Sequence, residues 1–409
     1  MNLNPKIDQL IRKGVHIPNP QAVEIGDEVD INRIAAEGVA IFSGSRICGK
    51  ETLICQEAQI GYEGPATVVD CYVGPRVALK GGFFQEAAFL EKTSCGLGAH
   101  VRGGTILEEQ AGIAHTVGLK QTILFPFVTL GSLINFCDCL MAGGTDRKNH
   151  SEVGSSYIHF NFTPNQDKAT PSLMGDVPRG VMLNQSPIFL GGQGGLVGPC
   201  RLAYGTVVAA GTICRKDQLK EDYLVMEGGG RAARIPFKPG GYRNLKRILR
   251  NNFNYIGNLI ALRQWYREIR RQFVGVAFPK ELSDGLIVTL DKGIAERIRQ
   301  LRIFKEKIVD QGADRSGTGQ TFCSQWPQIR DLLDDHQTFK GSAKNRDVFS
   351  EIIAEQILTY GRDYTQVIKR LDKDQSALGS SWLQGIVDQV NDKLLSIIDS
   401  EPQAQRASE

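Results

Sequence analysis

No Cys-x-x-Cys pair occurs in this chain, and no cysteines or histidines fall at paired metal-ligand spacing, so no metal site is expected. The nine cysteines are odd in number and scattered, with Cys137 and Cys139 the only close pair. A chain this long and this rich in apolar residues does not need a disulfide framework; reduced thiols and a cytoplasmic protein are expected. No segment approaches the ~18 continuous apolar residues of a membrane-spanning helix, and the opening MNLNPKIDQLIRKG lacks the apolar stretch of a signal peptide. Charge of one sign is also missing. A net charge of +3 over 409 residues makes the whole chain a poor candidate for a nucleic-acid binder.

What is present is a repeat. From Phe89, six-residue steps land on Cys95, Val101, Leu107, Ile113, Leu119 and Phe125, then on Gly131 and Cys137. A second run goes Leu190, Leu196, Leu202, Val208, Cys214, and shorter runs join Ile25 to Ile31 and Ile41 to Ile47 and Leu53. A helix repeats its apolar residues at three and four, a strand at two. A period of six fits a prism whose flat faces are short strands, each hexad supplying one face and one bend. Three hexads, roughly 18 residues, close one coil of a hexapeptide β-helix. The step residue points inward, which makes core hydrophobes of Cys95, Cys137 and Cys214. Glycine and acidic residues at the bends, as in IGDEV (25–29), VGPRV (73–77) and AAGTI (209–213), suit the turns.

The fold class expected is an all-β left-handed parallel β-helix followed by an all-α C-terminal domain. Residues 1–20 form a short helical segment. The β-helix occupies 21–225, with loop insertions at about 141–188 where the period breaks. A Gly-rich basic linker spans 226–241, a helical domain 242–400 and a disordered tail 401–409. Loops carried on a rigid scaffold are where function concentrates. The segment 242–273 places Leu245, Ile248, Leu249, Phe253, Ile256, Leu259 and Ile260 at helical spacing, and it carries eight arginines and lysines against Glu268. A solvated face is the simplest reading of those cations; a surface for phosphates or an anionic membrane is the sharper one. Trp265, Tyr266 and Phe273 belong to a core rather than to a stacking platform.

Between Asn135 and Asp217 four stretches occur in order: NF (135–136), KNHSEVG (148–154), HFNFTPNQDKAT (159–170) and LVGPCRLAYGTVVAAGTICRKD (196–217). This set resembles the acetyltransferase domain of the bacterial bifunctional enzyme that makes UDP-N-acetylglucosamine. That domain acetylates glucosamine-1-phosphate. The resemblance implies an acetyl-CoA-dependent N-acyltransferase acting on an amino sugar or sugar phosphate, and a homotrimer with sites between neighbouring prisms. It places the general base at His150, which would take the amine proton as the amine attacks the thioester; imidazole titrates near neutrality and suits that task. It places at Asn161 the asparagine that steadies the acceptor or the thioester carbonyl. Ala209 and Ala210 fall beside the pantetheine arm, and Arg231 and Arg234 where coenzyme A phosphates are met. The family's lysine falls on Asp167, with Lys168 one place away, and Arg147 and Lys148 stand as substrate-binding cations.

The departures are specific. No arginine stands in PFVTLGSLI (126–134) and no lysine in CDCLMAGG (137–144), where the family holds the sugar phosphate, and Val153 replaces a tyrosine. No LxxGxGTRM stretch of the uridyltransferase half occurs. A β-helical protein that binds sugar nucleotides or serves as a scaffold, without catalysis, is the alternative. The zinc carbonic anhydrases built on this fold carry a close histidine pair, and here His100 and His115 are fifteen residues apart. His159 alternates with aromatics and reads as a packed or hydrogen-bonded strand residue.

Overall fold

The computed structural model describes residues 4–226, 234, 242, 244–310 and 317–399. Helix α1 (Pro5–Lys13) is capped by the Asn4 side chain and stopped by Gly14 in the left-handed conformation. A parallel β-solenoid follows, three strands to the coil, with every strand paired to its equivalents one coil before and after. Face I runs from Glu24–Ile25 to Ile213–Cys214 in ten strands, face II from Leu53–Ile54 to Arg201–Leu202 in eight, and face III from Ala40–Ile41 to Leu224–Val225 in ten. The chain winds from face I to II to III.

The inward columns follow the six-residue period from Phe89 to Leu119; before Phe89 the coil length varies, so Leu53, expected inward, faces outward beside Tyr72 and Ile54 takes the inward place. On face I the column reads Val68, Phe84, Val101, Leu119, Phe136, all fully buried. One residue is then dropped. Leu107 pairs with Leu124, seventeen residues on, and Ile113 with Leu130. The inward residues of the next coil are therefore Leu124, Leu130 and Phe136, and the six-residue step to Phe125, Gly131 and Cys137 is one place late. Cys95 and Cys214 do point inward. Cys137 does not: it pairs with Lys120 on the outer column of face I and is buried there by its neighbours. No disulfide joins the cysteines among the described residues.

The bends use a device that glycine counting misses. At the II–III corner Glu57, Arg76, Lys92, Gln110 and Phe127 each have φ between 57° and 71°. Left-handed backbone costs a non-glycine residue roughly 1 kcal/mol or more. It is offset here by a ladder of corner bonds, Arg76 N to Gln56 O at 3.0 Å, Gln110 N to Glu91 O at 2.9 Å and Phe127 N to Glu109 O at 3.0 Å.

Faces I and III carry polar or small residues on many outer positions; face II does not. Its outer column is Leu53, Tyr72, Ala88, Ile106, Ile123, Leu140 and Leu173, each 7% exposed or less. A sheet apolar on both sides needs a cover, and each large side chain buried there contributes about 1.5–3 kcal/mol. The cover is the helical domain. A short α2 (Val177–Gly180) lies within the solenoid's last insertion. Beyond it come α3 (Leu245–Gln264), α4 (Lys280–Asp310), α5 (Gly317–Ser324), α6 (Trp326–Asp334), α7 (Ala343–Tyr360), α8 (Tyr364–Lys369) and α9 (Lys373–Asp399). Helix α4 lies along face II, so close at Gly285 that a Cβ there would run into the Tyr72 ring. Among the described residues no helix is long and apolar enough to cross a membrane.

The solvated-face reading of the basic 242–273 segment fits Arg250, which is exposed, but several of its cations are paired. Arg247 reaches Asp217, Arg263 Asp291, Arg270 Glu109, Arg271 Asp284 and Lys246 Asp399. They are ties within the helical domain and to the solenoid. Arg243 lies outside the described residues. Trp265, Tyr266 and Phe273 are buried.

The tie at the II–III corner has a pH signature. Tyr266 donates its hydroxyl to Glu108, and Arg270 pairs with the adjacent Glu109. Burial, and then the Glu109 charge, push the Glu108 carboxyl above its ordinary 4.5. A folded state that holds the proton more tightly is favoured below 4.5 and loses that contribution as pH rises toward the raised value. Glu108→Gln keeps the acceptor for Tyr266 and removes the titration. Its melting temperature is expected to gain on the parent as pH rises above 4.5, with a slope of about 1.4 kcal/mol per pH unit at most. Parallel melting curves from pH 5 to pH 9 would contradict this.

Candidate functional site

Three insertions break the coil, and each leaves at a corner of the prism. Residues 142–151 form a hairpin at the II–III corner, in which Gly144–Asp146 pairs antiparallel with Asn149–His150. Residues 161–171 form a loop at the I–II corner, between Ile158–Phe160 and Ser172–Met174. Residues 175–188 return to the II–III corner and meet the hairpin at Gly144 and Gln185.

His150 stands at the end of the hairpin with its side chain 18% exposed. Its Nδ1 is sealed from solvent and has no hydrogen-bond partner, and its Nε2 faces the Glu152 carboxylate at 4.0 Å. Of the other shielded histidines His159 is spent, while His336 uses Nδ1 and keeps an Nε2 with no partner among the described residues. His159 occupies an inward position in register with Phe136 and Leu196, its Nδ1 2.6 Å from Cys137 O and its Nε2 2.8 Å from Ser172 Oγ. Burial pushes its pKa down to about 4, which makes it a neutral structural group. His336 bonds Leu333 O.

Asn161 lies at the other edge of face II. Its Nδ2 donates to Asp138 Oδ2 at 2.6 Å, and Asp138 is held from its other oxygen by Arg297 of α4 at 2.7 Å. Both charged groups are 3–4% exposed. The loop beyond is tied by the same domain: Tyr242 donates to Asp167, Lys307 to Asn165 O, and Asn252 of α3 to Ala169 O. The position next to Lys168 is thus an anchor, while Lys168 itself is exposed.

Arg147 is braced into the corner, its Nη1 donating to Gln110 O, Phe127 O and Thr129 Oγ1. Lys148 is exposed. Ala209 and Ala210 turn the III–I corner on the last coils, with Gly191 so close beneath that a Cβ on it would strike Ala210 N. Arg234 is exposed, and Arg231 lies outside the described residues. Within one chain, then, His150 and Asn161 sit at opposite edges of the covered face, and Ala209 and Ala210 at the third corner.

One pair of cations had no signal in the linear motif. Arg102 and Lys120 are in register on adjacent strands of face I, and Lys120 is in register with Cys137, beside Asn135. Both basic groups act on the Cys137 thiol, whose pKa is raised chiefly by burial. Among the described residues neither forms an ion pair with a carboxylate. The same outer column continues through Phe160 toward Asn161. The signal that would have found them is their separation of one coil, eighteen residues. Among the described residues no cluster of three or more His, Cys, Asp or Glu side chains is placed to hold a metal.

The chain is similar to curated proteins described as "Bifunctional protein GlmU". It is 25% identical to that of Thermotoga maritima over 213 residues, 52% of this chain and 42% of the relative. It is 26% identical to that of Trichlorobacter lovleyi over 212 residues, 51% of this chain and 40% of the relative. These are the bifunctional proteins that the 135–217 motifs resemble. The chain covers about two fifths of the length of these relatives. The likeness and the parallel β-solenoid together fit a hexapeptide-repeat acetyltransferase domain. No protein-family model matches the chain.

Proposed function

We propose that this protein is a cytoplasmic acetyl-CoA-dependent N-acyltransferase that acts on an anionic amino sugar, in chemistry related to UDP-N-acetylglucosamine synthesis. The observation that carries the reading is the unspent imidazole of His150, shielded, without a hydrogen bond and facing Glu152. An imidazole left without a hydrogen bond where an insertion rejoins the coil is placed to act as a general base.

The site is completed by a second copy. The helical domain leaves faces I and III open, and both carry exposed apolar side chains on the late coils. These are Phe189, Val207 and Leu224 in one column of face III, and Ile158 and Phe160 on face I. A ring of three copies buries these faces against one another, which is a heterologous contact closed by rotation. It sets the His150 corner of one protomer beside face I of the next. That face is flanked by Asn161 at one edge and by Ala209 and Ala210 at the other, so the thioester arm lies in the cleft between them. The acceptor amine attacks the thioester carbonyl carbon, and a C–N bond forms. His150 takes the amine proton, amides near Asn161 stabilise the oxyanion, and the C–S bond breaks. Coenzyme A leaves with that proton.

Arg102 and Lys120 supply the positive charge that the linear motif lacks, and they favour an acceptor with a phosphate. Release of free thiol from acetyl-CoA, measured over a panel of amino sugars and their 1-phosphates, tests the reading. Release with a phosphorylated acceptor supports it. Arg102→Gln with Lys120→Gln is expected to raise the KM for that acceptor about 10- to 100-fold, the worth of one or two bonds to a charged group, and to leave the KM for acetyl-CoA unchanged. No release and no acetyl-CoA binding would leave a sugar-nucleotide-binding scaffold.

A further inference from the structure

The II–III corner and the helical domain do not meet flush. Between them is a cleft of about 340 Å³, within the size range of small-molecule sites. One wall is built from corner residues of successive coils, Arg76, Glu91, Lys92, Glu109 and Gln110. The other comes from the turn around Val276 and from residues 362–365. Helix α3 leaves α-geometry at Trp265–Ile269, passing through a π turn into a 3₁₀ turn, Arg270–Phe273. That change of winding turns Arg270 under the cleft.

Arg270 is 1% exposed, with its guanidinium 3.6 Å from the Tyr364 ring centre. Among the described residues only Nη2 has a partner, Glu109. Its Nε and Nη1 meet no acceptor, and Glu109 Oε2 meets no donor. A buried polar group left unpaired costs about 1–3 kcal/mol, and such groups in a folded protein point to a bound water, ion or ligand. The rim has charge to spare as well. Arg76 and Lys92 both lean on the one carboxylate of Glu91, and Arg76 reaches Glu57 only at 3.9 Å. Arg362 gives its Nη1 to the carbonyls of Gln272 and Val274, and among the described residues no carboxylate pairs with it. Asp363 is occupied as the cap of α8, accepting from Gln366 N.

We infer that this cleft binds a small hydroxylated oxyanion, a phosphate ester or a hydroxycarboxylate. The anion meets Arg76, Lys92 and the unsatisfied side of Arg270, and a ligand hydroxyl donates to Glu109 Oε2. The site is a different place from His150, but the two are joined: Gln110 in the cleft wall accepts from Arg147, in the turn of the same hairpin. The binding stands whether or not His150 is catalytic, and its test does not read activity.

The full chain is titrated calorimetrically with glycerol 3-phosphate, citrate and inorganic phosphate at constant ionic strength, beside the Arg76→Gln/Lys92→Gln variant. The expected result is saturable binding of glycerol 3-phosphate or citrate, at least tenfold tighter than inorganic phosphate. It weakens at least tenfold in the variant, whose melting temperature without ligand stays near the parent's. The tighter of the two hydroxylated probes identifies the phosphate or the carboxylate class. The site is overturned by no saturable heat with any probe, by equal affinity in the variant, or by inorganic phosphate binding as tightly as either.

Discussion

Acceptor-dependent thiol release from acetyl-CoA is expected to fall about 10²- to 10⁴-fold when His150 is replaced by Ala, the usual worth of a positioned general base. His150 pairs with Gly144 at the base of the hairpin, and no hydrogen bond of the fold runs through its ring among the described residues. The melting temperature should therefore barely move, and the loss should appear in kcat rather than in the KM for acetyl-CoA. A general base also shapes the acid limb of the pH profile, so the residual activity of the variant should lose that limb. Activity within threefold of the parent would remove His150 from the chemistry, and with it the main support for an enzyme.

Arg297→Met is expected to cost about 3–5 kcal/mol of stability, because it leaves the Asp138 carboxylate buried without its cation. The pair is 2.7 Å apart and almost wholly sealed. Asp138 also holds Asn161 and lies at the seam between solenoid and α4. The effect should thus be twofold: a lower denaturation midpoint, and a loss of activity larger than a distant destabilising substitution produces. Asp138→Asn on top of Arg297→Met removes the orphaned charge and should recover a good part of the stability. Urea denaturation of the parent, the single and the double variant checks this. A midpoint in Arg297→Met within about 0.5 kcal/mol of the parent, the level of ordinary surface changes, would show that the seam does not need the pair.

The six-residue period was legible because inward packing repeats along the chain itself: Val101 and Leu119 stack in one column, and their spacing is the coil. It failed before Phe89, where Ile54 rather than Leu53 points inward, and again where the coil shortened by one residue after Leu119. A dropped residue leaves apolar amino acids at both candidate positions, Leu124 beside Phe125 and Phe136 beside Cys137, so periodicity alone cannot choose between them. The choice is made by pairing with the coil below. The motif residues were legible as a set, because the insertions that carry them interrupt a regular pattern. Their division between two corners was not. The order of residues along the chain does not say on which face a strand resumes after a loop of variable length.

By itself the sequence determined the prism, its inward columns from Phe89 to Leu119, the helical character of the C-terminal half and the insertions where the period breaks. These are local consequences of spacing. It also held a sign that face II would be covered, in doublets such as Ile123–Leu124 and Leu140–Met141 that are apolar on both sides of the strand. Only the tertiary structure decided what covers that face, that Arg247, Arg263 and Arg270 are internal ties, that Arg102 and Lys120 stand side by side, and that Arg297 meets Asp138. Those pairings join residues far apart in the chain or one coil apart. They depend on coil length and on the docking of one domain upon another, and neither is written in the order of neighbouring residues.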